Sequence, residues 1–122
     1  LFWCAYKSKI GILNTKGRYV ISPQWDEITQ IHQKLWCVAL FIKDKLQFGF
    51  ISNTGTYLQK IQFDEVVSES PNCIKVKNNN KWGLYSMQGT EVIPPYFDYI
   101  SKIMHGLAVA KKGTLFGIVD DK

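Results

Sequence analysis

Short apolar runs separated by compact polar turns fill this chain, and no stretch sustains a helical period. Residues 1–6, 10–13, 35–42, 73–77 and 107–112 are rich in β-branched, aromatic and aliphatic side chains, as strands are. The run at 10–13 is apolar apart from Gly11, which suits a strand buried on both faces. After it, residues 14–17 (Asn-Thr-Lys-Gly) have the chemistry of a type I turn closed by a left-handed glycine. Residues 52–55 (Ser-Asn-Thr-Gly) and 86–89 (Ser-Met-Gln-Gly) repeat that turn, and Asp120 begins a fourth.

These turns belong to a longer period. A glycine preceded by a large apolar residue recurs at Gly11, Gly49, Gly83 and Gly117, spaced 38, 34 and 34 residues apart. In the first three copies a second glycine follows six residues later, and an aspartate after an aromatic residue follows at fifteen: Trp25-Asp26, Phe63-Asp64 and Phe97-Asp98. A fixed period of this size signals a repeat array. The copies span residues 9–46, 47–80 and 81–114, with partial copies at 1–8 and 115–122. The chain therefore reads as a segment of a longer protein. A single copy has too little apolar surface to stand alone, so neighbours must share a core.

The expected fold class is all-β: an antiparallel array with three or four short strands per copy, open and solenoid-like or a twisted sheet. Three copies are too few for a closed propeller. A second strand follows each turn, at residues 18–21, 56–59 and 90–93. Pro23 and Pro94-Pro95 end it or confine it to an edge, because proline donates nothing to a ladder. Residues 30–34, 68–72 and 101–106 read as variable polar linkers, each leading to a last strand and a lysine-rich hairpin. The glycine beside Trp or Phe is expected to admit an aromatic ring from an adjacent strand or repeat. No phosphate-loop pattern frames it.

Composition adds less. Of 122 residues 46% are hydrophobic and 14% aromatic, enough for a core and too much for disorder. The longest apolar run, Leu35–Ile42, is far too short to cross a bilayer as a helix, and no signal peptide is visible. Cys4, Cys37 and Cys73 lie in apolar runs without a CxxC pair, as buried thiols do, and lean toward a reducing, cytoplasmic compartment. His32 and His105 occupy similar linker positions without further ligands at metal spacing. One aspartate per copy describes a recurring corner better than a catalytic pair. No nucleophile, base and orienting group stand together, so neither an enzyme nor a cofactor is expected.

Charge gives the one candidate surface. Fourteen of fifteen basic residues are lysine, concentrated at the hairpins: Lys7, Lys9, Lys43, Lys45, Lys75, Lys77, Lys111 and Lys112. The acids gather elsewhere, at Asp26-Glu27, Asp64-Glu65, Glu69 and Asp98. Stacked copies would align these into an exposed basic rim and a separate acidic one. Such a rim either protects strand edges or binds a partner. A single arginine argues against base readout in nucleic acid.

Residues 81–85 (Lys-Trp-Gly-Leu-Tyr), with 91–95 (Glu-Val-Ile-Pro-Pro) and 97–100 (Phe-Asp-Tyr-Ile), resemble the WG, or KWG, repeat family. Ile10, Phe48 and Phe116 replace the tryptophan in the other copies, and residues 59–62 lack the prolines. The resemblance implies a β-rich repeat region of a mostly bacterial kind, with no catalytic residues to transfer and a use in protein–protein interaction or scaffolding. Two alternatives accompany it: an anion-binding surface for nucleic acid or acidic lipid along the lysine rim, and an inhibitor or immunity-type protein that occludes a toxin.

Overall fold

The computed structural model describes residues 8–68 and 70–120, together with the backbone of residues 2–6. It is all-β and antiparallel. A first sheet joins β1 (Phe2–Tyr6), β2 (Lys9–Leu13) and β3 (Tyr19–Trp25) in chain order. A second joins β4 (Glu27–His32), β5 (Leu35–Ile42), β6 (Lys45–Ser52) and β7 (Tyr57–Phe63). A third joins β8 (Glu65–Val67), β9 (Cys73–Asn78), β10 (Lys81–Ser86) and β11 (Glu91–Phe97). The fourth joins β12 (Tyr99–Ile100), β13 (Leu107–Lys112) and β14 (Leu115–Asp120). The glycine strand is the inner strand of both four-stranded sheets, paired through the lysine hairpin with the last strand of the preceding copy. A sheet thus takes strands from two successive copies, and the break between sheets falls at the aromatic–aspartate pair.

The turn chemistry is as the spacing predicts. Gly17, Gly55 and Gly89 have φ of 77°, 90° and 80°. Their amides donate to the carbonyls of Asn14, Ser52 and Ser86 at 3.1, 3.0 and 3.0 Å. The first side chain of each turn fixes it from outside: Asn14 Oδ1 accepts from the amides of Lys16 and Arg18, and Ser86 Oγ from those of Gln88 and Thr90. Gly17 gives the cleanest test, because a Cβ there would meet nothing within 4 Å. Gly17→Ala should cost about 1 kcal/mol through the left-handed backbone alone, and Gly17→Asn clearly less. Chemical denaturation of both variants checks this; equal losses would shift the cause away from φ.

The strand after the turn does not end at proline. β3 runs through Pro23 and β11 through Pro94 and Pro95, both as sheet edges, where an absent N–H costs no ladder bond. Ile12 faces Ile21 and Ile10 faces Trp25, so residues 22–24 arch opposite Gly11 alone. Leu84 faces Ile93 and Trp82 faces Phe97, with residues 94–96 arched opposite Gly83. This bulge, not an aromatic ring, is what the glycine admits. A Cβ on Gly83 would stand 2.5 Å from Ile93 O and 2.7 Å from Pro95 N, and Gly11 and Gly49 are similarly crowded by backbone. Another difference concerns residues 30–32: they extend β4 to a tight turn at 33–34 instead of forming a linker.

Two compact units divide the chain, Leu1–Gln62 and Phe63–Lys122. In the first, Ile12, Ile21 and Trp25 of one sheet pack on Ile28, Trp36, Val38 and Ile51 of the next. In the second, Cys73 and Leu84 pack on Ile100, Ala108 and Ala110 of the adjoining sheet, with Ile103 closing the cluster. The residue after the repeat glycine, Ile12 or Leu84, therefore faces the following sheet. Both are essentially fully buried.

Candidate functional site

The repeated aspartates are brackets. Asp26, Asp64 and Asp98 stand at the bends between sheets, and their amides donate to the carbonyls of Ala39, Lys77 and Lys111 at 2.9, 2.7 and 2.8 Å. Their carboxylates accept from the amides of Phe41, Asn79 and Gly113, each fifteen residues on, at 2.8, 3.1 and 2.7 Å. Each clamps the lysine hairpin to the start of its sheet. Lys9 adds a charged donor to Asp26 at 2.6 Å, and Lys81 does the same for Asp98. The corner role is the one expected, but the bonded amides lie across the sheet, not next to the aspartate in sequence.

These donors favour the carboxylate form. The hydrogen bond from Lys81, then that from the Gly113 amide, lower the Asp98 pKa to about 2; Lys9 and the Phe41 amide lower that of Asp26. The Lys81 ammonium is raised in turn by Asp98. A carboxyl depressed below its unfolded value of about 3.9 stabilises the fold above that pH, and the benefit disappears as pH falls toward the folded value. Thermal unfolding followed from pH 7 to 2 should show Asp98→Asn less stable than the parent at pH 7. The difference should shrink between pH 4 and 2. Curves that stay parallel throughout would mean that Asp98 contributes nothing as an anion.

The lysine-rim residues do not share one environment. Lys7 lies outside the described residues. Lys9 is paired with Asp26, and Lys77 lies 3.3 Å from Glu65 and 5.6 Å from the centre of the Trp82 ring. Lys111 and Lys112 stand over the rings of Phe116 and Tyr96, at 5.5 and 4.5 Å. Lys43 and Lys45 are exposed beside a two-residue turn in which Lys43 and Asp44 have φ of 53° and 63°. Lys75 departs most from expectation: it is 9% exposed, with its ammonium toward the carbonyls of Ile100 and Ser101 at 3.4 and 3.5 Å. Basic and acidic residues meet in pairs at Lys9–Asp26, Lys77–Glu65 and Lys81–Asp98. Sequence spacing misses these pairs because Lys9–Asp26 and Lys81–Asp98 are each seventeen residues apart and meet only through strand register.

Cys37 and Cys73 are buried, and burial followed by the charge of Glu27 raises the Cys37 pKa to about 12. Neither suits a nucleophile, which must be a thiolate. The side chain of Cys4 lies outside the described set. His32 ends β4 and His105 lies in the loop before β13, both exposed. Among the described residues no group of three His, Cys, Asp or Glu could hold a metal.

An apolar surface missed by the sequence reading lies on β13 and β14. Register places Val109 opposite Ile118, and Lys111 opposite Phe116. Ile118 follows Gly117 as Ile12 follows Gly11 and Leu84 follows Gly83, yet it is 74% exposed where they are 1% and 0%. Leu107, Val109, Met104 and Phe116 are exposed around it. A shallow groove of about 230 Å³ runs among Ser101, Met104, Leu107, Val109 and Ile118. The glycine spacing marks Ile118 as a residue that packs in the complete copies, where the strand after the next turn pairs with it, and the 122 residues reach only the start of that turn.

A family model described as WG containing repeat matches the chain three times, at residues 10–38, 48–82 and 82–114. No curated protein and no solved structure matches it.

Proposed function

The chain belongs to the WG containing repeat family, and from that premise we propose that it is a non-catalytic module that binds another protein. What supports this reading is the threefold repeat match together with exposed aromatic side chains of the first unit, Phe41 62%, Tyr19 58% and Tyr57 53% exposed. Aromatic residues are enriched where proteins meet.

Site-specific photo-crosslinking tests the reading. A crosslinker at Phe41 should trap a defined polypeptide that one at Lys102 does not trap. The trapped protein, once purified, should bind the parent chain and lose binding to Phe41→Ser. Crosslinks from Lys102 alone, or binding indifferent to Phe41→Ser, would place recognition elsewhere.

A further inference from the structure

We infer that one end of the first unit is a docking surface for an acidic segment of another protein, one that carries aromatic or aliphatic side chains among its carboxylates. The inference rests on the interaction reading above and adds a surface about 20 Å along β5 from Phe41, by the rise of a strand. Three turns come together there. Leu35, which follows the turn at 33–34, pairs with Ser52, the first residue of the turn at 52–55. Gly55 in that turn lies beside β3, where a Cβ on it would stand 3.8 Å from the Val20 carbonyl. Val20 is just beyond the turn at 14–17, which the Asn14 amide closes on the Arg18 carbonyl. Lys16, Arg18 and Lys34 are all exposed on these turns, and none has a carboxylate partner among the described residues.

Charge in this unit is polarised. Its acids are Asp26, Glu27 and Asp44, and neither Asp nor Glu occurs in residues 8–25, 28–43 or 45–62. Asp26 binds the Phe41 amide, Glu27 pairs with Ala39, and Asp44 sits in the hairpin turn at 43–44, all toward the other end of β5. The turn end therefore presents cations, and rings stand among them. Tyr19 and Tyr57 each lie two residues after a turn glycine and are 58% and 53% exposed, with Leu58 exposed beside Tyr57. Tyr57 is held in place: its ring lies 5.7 Å from that of Trp25, edge to face. Lys34 and Tyr57 belong to the second sheet, which described chain both precedes and follows, so their exposure does not arise at either end of the 122 residues. Arginine and tyrosine are enriched where proteins meet, and the Arg18 guanidinium suits a carboxylate in a two-pronged bond. Charge complementarity of this kind speeds encounter and rejects partners of the wrong sign. Nucleic acid fits less well, because a protein on a duplex commonly makes roughly six to ten phosphate contacts and this end offers far fewer cations.

The test uses the 122-residue chain and a synthetic peptide, Glu-Glu-Trp-Glu-Glu-Trp-Glu-Glu. Amide resonances of residues 14–19, 33–35 and 53–58 should shift on titration, and the shifts should fade as salt rises. The same peptide with Gln for every Glu should leave them unmoved. Arg18→Glu combined with Lys34→Glu alters two exposed sites, so the thermal midpoint should hold while peptide affinity falls roughly tenfold or more. Lys43→Glu, at the opposite end of the unit, should leave that affinity unchanged. No shift, equal shifts with the Gln peptide, or binding that survives the double reversal overturns the proposal. Tighter binding of a single-stranded oligothymidylate than of the peptide also overturns it, in favour of nucleic acid. If the peptide fails while the Phe41 crosslink still forms, the interaction reading stands and this inference alone falls.

Discussion

Gly83→Val should be among the most damaging single substitutions in the second unit, lowering stability by about 3 kcal/mol. The new Cβ would lie 2.5 Å from Ile93 O, 2.7 Å from Pro95 N and 2.8 Å from Pro94 C. All three are backbone atoms, so no rotamer change relieves the overlap. Either β10 and β11 separate, or the arch flattens and the pairs Leu84–Ile93 and Trp82–Phe97 lose register. Overpacking a well-packed interior costs about 1–3 kcal/mol, and a clash against fixed backbone belongs at the upper end. Strand propensity works the other way, since valine is favoured over glycine in strands. The sign is therefore informative. Thermal and urea unfolding decide it: a variant as stable as the parent would show that the glycine reflects the sequence repeat and not the bulge.

The same glycine shows how far sequence carries and where it stops. Its spacing is enough to reveal the array, the turns and the all-β class, because each rests on local chemistry: a left-handed glycine at Gly17 or an Asn14 side chain that satisfies its own turn. What the glycine admits is decided by register between strands. Pro94 and Pro95 allow either a strand end or a sheet edge, and the fold takes the edge, where an arch leaves proline nothing to donate and lets the strand continue to Phe97. The lysines fail for a related reason. Charge type is local, but whether Lys81 meets Asp98 or Lys75 turns inward depends on which face and strand each occupies. Residues 79–80 add a third case: Asn79 and Asn80 adopt φ of 52° and 64°, the geometry of a tight two-residue hairpin that asparagine tolerates, within a stretch whose lysines drew attention instead.

Lys75→Glu should also unfold much of the chain's second unit, although charge reversal at a surface lysine ordinarily costs little. Lys75 lies on β9, an inner strand, opposite Leu84, which is fully buried. Its ammonium points at the carbonyls of Ile100 and Ser101 and stands 5.8 Å from the centre of the Trp82 ring. Every one of these neighbours presents partial negative charge to it, so each favours a cation and repels a carboxylate. An uncompensated buried charge costs roughly 3–5 kcal/mol, a large share of a total stability of about 5–15 kcal/mol. Lys75→Met, which keeps the stem and removes only the donor, should lose about 1 kcal/mol. Urea unfolding of both variants at unchanged m-value separates these outcomes. If Lys75→Glu matched the parent, the side chain would have to reach solvent freely. A charge-reversal test of anion binding would then be sound at Lys75, as it already is at the exposed Lys43.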